Sequence, residues 1–172
     1  MTVVADATVL IYLAKIDRLD LLDALFDRAL VPKAVYEEVV TRGREQGYAD
    51  ALAIDDATDA FLDVRSLSGD ADDRAAAIED STDLGRGEVA AIALALVEDA
   101  RCLVDDHAAR RSAESLGVAV GGTIYVLLEA LQAGHVSHDE YVDLLEALDE
   151  SGFRMSAQLY RQAVEAGEEV EK

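Results

Sequence analysis

The chain has 172 residues, of which 51% are apolar and 5% aromatic, with no Trp. That length and apolar share suit one domain over residues 1–172 with a substantial core, and they exclude a disordered chain. The formal net charge of −21 excludes the overall basic balance by which nucleic-acid binders are ordinarily recognised, and no basic stripe is visible.

Taken in chain order, residues 2–5 (Thr-Val-Val-Ala) read as a buried strand ended by Asp6. Val9 to Ile16 is an apolar helical stretch, after which Asp17 is placed as N-cap of a second helix carrying Leu19, Leu21, Leu22, Leu25 and Phe26. Ala29-Leu30-Val31 is a second strand, stopped by Pro32, the only proline. Proline is tolerated in a helix's first turn, so a helix is expected from about 33 to 45. A helix over 48–60 and a strand over 61–65 follow. Residues 66–83 are polar and acidic with an Ala-rich centre, and read as a mobile or partly helical insertion. Next come a helix over 87–99, a strand over 101–104, a helix over 106–116 with Gly117 as its C-cap, and a fifth strand over 118–120. Helices over 123–133, 137–149 and 156–166 complete the chain, separated by Gly134 and Gly152. Alternating strands and helices predict an α/β protein: a three-layer α/β/α fold with a central, mainly parallel sheet of about five strands. The C-terminal helices, from about 137 to 172, pack on that unit or extend from it. In such sheets the reactive crevice lies beyond the carboxyl ends of the strands.

The 36 acids are scattered rather than gathered in a tail, and lysine is confined to Lys15, Lys33 and Lys172. Scattered acids with little Lys and few aromatics resemble the proteins of salt-loving archaea, in which concentrated salt screens self-repulsion. The alternative is that the acids repel nucleic acid or attract a basic partner. The single cysteine, Cys102, excludes an internal disulfide and, within the apolar run Cys102-Leu103-Val104, reads as a buried thiol in a reducing compartment. No apolar run approaches the roughly 18 residues that span a bilayer, and the first segment carries no basic, apolar leader. A cytoplasmic protein with no membrane segment is expected.

Acids at strand ends are the informative ones. Asp6 follows the first strand, and Asp105 and Asp106 follow the fourth, so these carboxylates face the crevice. Glu38 falls on the second turn of the helix after strand two. Glu88 falls in the first turn of its helix, behind Gly87. Carboxylates converging on one crevice repel each other without a cation, and hard oxygen ligands suit Mg²⁺ or Mn²⁺. A bound metal of this kind activates water and stabilises charge on a phosphodiester. Thr8, two residues beyond Asp6, is placed to bond a carboxylate or a substrate phosphate. Arg110, one turn beyond Asp106, is a phosphate candidate because guanidinium matches phosphate oxygens. Plainer readings stand beside these. Asp106 also suits a helix N-cap, Glu88 also complements a helix dipole, Arg110 also suits a surface pair, and Glu37 reads as a solvated surface group. His107, His135 and His138 do not form a metal-binding pattern.

The motifs in order resemble those of the PIN-domain family, VapC-like ribonucleases included. Val4-Ala5-Asp6-Ala7-Thr8 is similar to the opening Asp-x-Ser/Thr strand, and Val31-Pro32 through Glu38-Val39 to the second motif, whose acid falls at Glu38 rather than Glu37. Leu84-Gly85-Arg86-Gly87-Glu88 resembles the Gly-Glu form of the third motif, and Leu103-Val104-Asp105-Asp106 the fourth, with Asp106 in the acid's place. Gly121-Gly122-Thr123, Leu127-Leu128-Glu129-Ala130 and Gly152-Phe153-Arg154-Met155-Ser156 are typical of one prokaryotic PIN-like branch. The resemblance covers nearly the whole chain. It implies a parallel sheet between helices and Mg²⁺- or Mn²⁺-dependent cleavage of RNA at Asp6, Glu38, Glu88 and Asp106. The expected metal ligands are Asp6, Glu88, Asp105 and Asp106, with Thr8 and Arg110 on the substrate. It further implies a small antitoxin protein as partner and a homodimer. An alternative is a PIN-fold binding or regulatory module that cleaves little. Haloacid-dehalogenase-like phosphatases want a second Asp where Thr8 stands, and receiver domains want a Lys after a later strand, where none occurs.

Overall fold

The computed structural model describes residues 1–172. Five strands form one sheet in the order β3-β2-β1-β4-β5, with every neighbouring pair parallel. They are β1 (Thr2–Ala5), β2 (Arg28–Pro32), β3 (Leu62–Arg65), β4 (Arg101–Leu103) and β5 (Val120–Gly121). Between β1 and β2 lie α1 (Ala7–Lys15) and α2 (Asp20–Leu25); between β2 and β3 lie α3 (Lys33–Tyr36), a π-helical turn (Glu37–Thr41), α4 (Arg42–Glu45) and α5 (Ala49–Thr58). α6 (Asp70–Ser81) and α7 (Arg86–Glu98) lead into β4, and α8 (His107–Ser115) into β5. α9 (Thr123–Gln132), α10 (His138–Glu150) and α11 (Ala157–Glu171) close the chain. This is the expected three-layer α/β/α arrangement.

Parallel strands buried on both faces need apolar residues at every position, and β1 provides them: Val3, Val4 and Ala5 are all fully buried. Their alternation splits the core. Val3 and Ala5 join Leu10, Leu22, Val31 and Leu127 on one face, whereas Val4 joins Leu30, Ile92, Cys102 and Ala109 on the other. Cys102 is a buried thiol, pushed up to about 12 by desolvation first and by the charge of Asp6 second, so it is no nucleophile at neutral pH. No helix is long and apolar enough to cross a membrane.

Three expectations need correction. Asp17 does not cap the second helix; it follows α1 in the left-handed region (φ 57°), which Asp tolerates better than most residues, and α2 starts at Asp20 without a side-chain cap. The stretch 66–83 is partly helical, one of the two forms expected for it: α6 occupies Asp70–Ser81 and buries Ala71 and Ile78. Three aspartates in its first turn complement the positive end of the helix dipole, and Asp70 pairs with Arg74 one turn on. β5 begins two residues later than expected, because Cys102 pairs with Val120 and Leu103 with Gly121. The helix over 33–45 is interrupted by the π turn, in which the Arg42 N–H donates to the carbonyl of Glu37, five residues back. Such bulges are frequent at functional sites.

Candidate active site

The strands of a parallel sheet end at one edge, and there β1 is followed directly by Asp6 and β4, after Val104, by Asp105 and Asp106. Asp6 is the N-cap of α1: its Oδ1 accepts the Ala7 N–H at 2.7 Å. It is 3% exposed and is the only buried charged side chain in the protein. Asp106 caps α8 in the same way, Oδ2 accepting the Ala109 N–H at 3.0 Å, but is exposed. Both acids are therefore helix caps; Asp6 also lines the crevice, whereas Asp106 stands outside it, exposed.

α7 brings the other acids together. Gly87, in its first turn, is buried, and a Cβ there would lie 2.8 Å from Glu38 Oε2, 3.3 Å from Val35 Cγ2 and 3.8 Å from Asp6 Oδ1. Only glycine lets the start of α7 come this close to carboxylates from two other elements. Asp6, Glu37, Glu38 and Glu88 consequently line one cleft of about 180 Å³, together with Thr8, Arg42 and Arg86. Glu37, expected at the solvated surface, is half-buried in this cleft. The π turn widens the helix where two adjacent acids, Glu37 and Glu38, both reach the site. Periodicity alone gives no sign of such a turn, which is why Glu37 escaped the sequence reading. Arg42 and Arg86 escaped as well, although Arg86 stands within the third motif.

The electrostatics follow from that convergence. Asp6 is raised to about 7, chiefly by desolvation and then by the charges of Glu88, Glu38 and Asp105, against the lowering effect of the Ala7 N–H. Glu88 is raised by desolvation, then by Asp106 and Glu38. Asp106 thus acts on the cleft through Glu88, although it does not line it.

Asp105 is held differently. Thr123 N donates to its Oδ1 at 2.8 Å and Thr123 Oγ1 to its Oδ2 at 2.7 Å. Burial raises its pKa while these two hydrogen bonds and the charge of Arg110 lower it. Arg110 Nη1 donates to the carbonyl of Val104 at 3.1 Å, so that nitrogen is committed to the end of β4. Gly122 makes room for this arrangement: a Cβ there would meet Asp105 Oδ1 at 2.5 Å and Arg110 Nη1 at 3.0 Å.

As the side chains stand, no three acid, His or Cys groups are spaced to enclose one ion. The donor set nonetheless fits a hard divalent cation, because Mg²⁺ takes one or two carboxylates directly and keeps several waters. A nearly buried carboxylate pushed towards its neutral form, first by burial and then by neighbouring acids, is also what a cation relieves.

The fold and its strand-end acids define an α/β protein with a carboxylate-lined cleft at the carboxyl edge of a parallel sheet. The chain belongs to the PIN-domain family: the family model DUF3368, described as a PIN domain, matches residues 2–169. Solved structures that share the fold include VapBC2 from Rickettsia felis bound to a DNA fragment from their promoter, 11% identical over 71% of this chain and 98% of that one, with a TM-score of 0.57. Another is a PilT N-terminus domain protein from the hyperthermophilic archaeon Sulfolobus solfataricus P2, 16% identical over 91% of this chain and 98% of that one, with a TM-score of 0.51. No curated protein matches the sequence. PIN domains are generally nucleases and typically depend on a divalent metal, which places this chain among nucleases at the level of the family.

Proposed function

We propose that the protein is a metal-dependent endoribonuclease that cleaves RNA phosphodiester bonds, with Asp6, Glu38, Glu88 and Asp106 as its acidic centre. The observation that carries this reading is the convergence of Asp6 and Glu38 on Gly87, with Glu88 in the same cleft. Asp6, Glu88 and Asp106 would hold the metal, and Glu38 would complete the acidic centre. Asp105, tied by both oxygens to Thr123, contributes charge to the site and keeps the β4 edge in place. Mg²⁺ or Mn²⁺ held there would supply Lewis acidity to the phosphodiester and an activated water. Thr8, two residues beyond Asp6 and within the same cleft, binds a non-bridging phosphate oxygen. The protein works in the cytoplasm of a salt-adapted cell. It is a homodimer held in check by a small antitoxin; VapBC2, which shares the fold, was solved bound to promoter DNA.

A second reading is a PIN-fold binding or regulatory module. A Mn²⁺ titration in about 1 M KCl with mixed RNA substrates separates the two. The nuclease reading expects cleavage that EDTA, Asp6→Asn and Asp106→Asn each abolish. Full activity in both variants or in EDTA overturns the site, and metal binding without any cleavage establishes the module.

A further inference from the structure

The chain carries fifteen Lys and Arg against 36 Asp and Glu, so a basic side chain without an acidic partner is unexpected. Seven of the fifteen are ion-paired with the chain's own carboxylates. Arg101 and Arg110 instead donate to the carbonyls of Val120 and Val104. Of the six that remain, three stand together at the site: Arg42 in the acidic cleft, Arg86 at its border, and Lys33 beyond Arg86.

Arg86 and Lys33 also line a second, larger groove of about 460 Å³ between α3, α6 and α7. It adjoins the acidic cleft, sharing Ala34, Glu37 and Arg86 with it. Ser66, Leu67, Ala75 and Val89 form part of its wall and floor, so the groove exists because residues 66–83 fold into α6. Its volume lies within the roughly 300–1,000 Å³ range typical of small-ligand sites. Glu37, Asp72 and Glu79 border it too, so the wall is not uniformly basic. A polyanion is attracted at Arg86 and Lys33 and repelled between them and α6, which fixes register more than it adds affinity. No aromatic side chain lines either space, so nothing there stacks on a base.

We infer that the groove between α3, α6 and α7 carries the RNA strand leading away from the acidic cleft, with Arg86 and Lys33 holding successive backbone phosphates and Arg42 holding one on the opposite flank. This rests on the nuclease reading and deepens it: the strand is gripped by its backbone, in a fixed register and with little base preference. Arg86 binds as a fork, for which Lys is a poor replacement.

All three side chains are exposed and unpaired, so their Gln variants keep the fold. The test is binding of single-stranded RNA by the Asp6→Asn protein across a KCl series, with and without Arg86→Gln and Lys33→Gln, beside cleavage kinetics of the same variants in the intact-site protein. Each variant is expected to reduce the slope of log K against log[salt] by about 0.7, the value for one phosphate contact on a single strand. KM should rise severalfold, whereas Arg161→Gln on α11 leaves both quantities unchanged. Cleavage with unaltered slope and KM in Arg86→Gln and Lys33→Gln overturns the groove and leaves the nuclease standing. RNA binding with the expected slope changes, but no cleavage by the intact-site protein, upholds the groove and removes the nuclease. Neither binding nor cleavage overturns both.

Discussion

Asp105 and Thr123 close the carboxyl edge of the sheet between β4 and α9: both carboxylate oxygens accept from the one threonine, through its backbone N–H at 2.8 Å and its hydroxyl at 2.7 Å. Thr123 is fully buried, and Gly122 before it has no side chain to obstruct the carboxylate. The pair fixes where β4 hands over to Asp106, and so where Asp106 stands relative to Glu88. Thr123→Val keeps the volume and the N–H but removes the hydroxyl. It should cost about 1–3 kcal/mol, the usual penalty for leaving a buried acceptor short of a donor. Thr123→Ser should recover most of that loss. Urea unfolding of the three proteins checks it, and a Val variant as stable as the wild type would refute the clasp.

Gly87→Ala tests the close approach of α7 to the acids. Alanine favours the helix by up to about 1 kcal/mol over glycine, and the atom it crowds, Glu38 Oε2, ends a flexible side chain. Stability should change little. The Glu38 carboxylate must shift, however, and Val35 must give by a few tenths of an ångström, so Mn²⁺ affinity and RNA cleavage should fall together by about tenfold or more, equivalent to roughly 1.4 kcal/mol. Unchanged metal affinity, measured by calorimetry, would show that Glu38 takes no part.

Asp6 sets the pH dependence of the metal-free protein. Its carboxyl is held near 7 in the folded chain against 3.8 as the ordinary value. Below about pH 4 both states carry the proton and the group contributes nothing. Between 4 and 7 the unfolded chain releases a proton that the folded one retains, so stability falls as pH rises, and above 7 the loss is complete. A shift of this size corresponds to about 4 kcal/mol. Glu88 and Asp105 are raised too and act in the same direction. Asp6→Asn, which keeps an oxygen for the Ala7 N–H, should therefore be the more stable protein at pH 8 in EDTA and no better at pH 4. Denaturant midpoints at the two pH values decide the matter.

A net charge of −21 on 172 residues makes the folded state repel itself. Raising KCl from 0.1 to 1 M shortens the screening length from about 10 to 3 Å. Thermal midpoints should rise accordingly, by about 2–4 °C for each kcal/mol recovered. A midpoint independent of KCl would refute the solvation reading of the surface acids.

Local chemistry made much of this protein legible. Val3-Val4-Ala5 can only be buried strand, a carboxylate directly after it can only meet the sheet's edge, and the same holds for Leu103-Val104 before Asp105 and Asp106. Strand count, layer order and the edge where the crevice lies all follow from such short-range signals. The cleft's walls do not, because they depend on how helices distant in sequence settle against one another. The π turn that admits Glu37 beside Glu38, the approach of Gly87 to Asp6, the division of labour between Asp105 and Asp106, and the folding of α6 against α7 are all products of that packing. Even the charge pattern changed its meaning in three dimensions. A sequence with no basic stripe leaves Lys33, Arg42 and Arg86 unpaired along adjoining spaces, because the folded chain brings other acids within reach of only about half its cations.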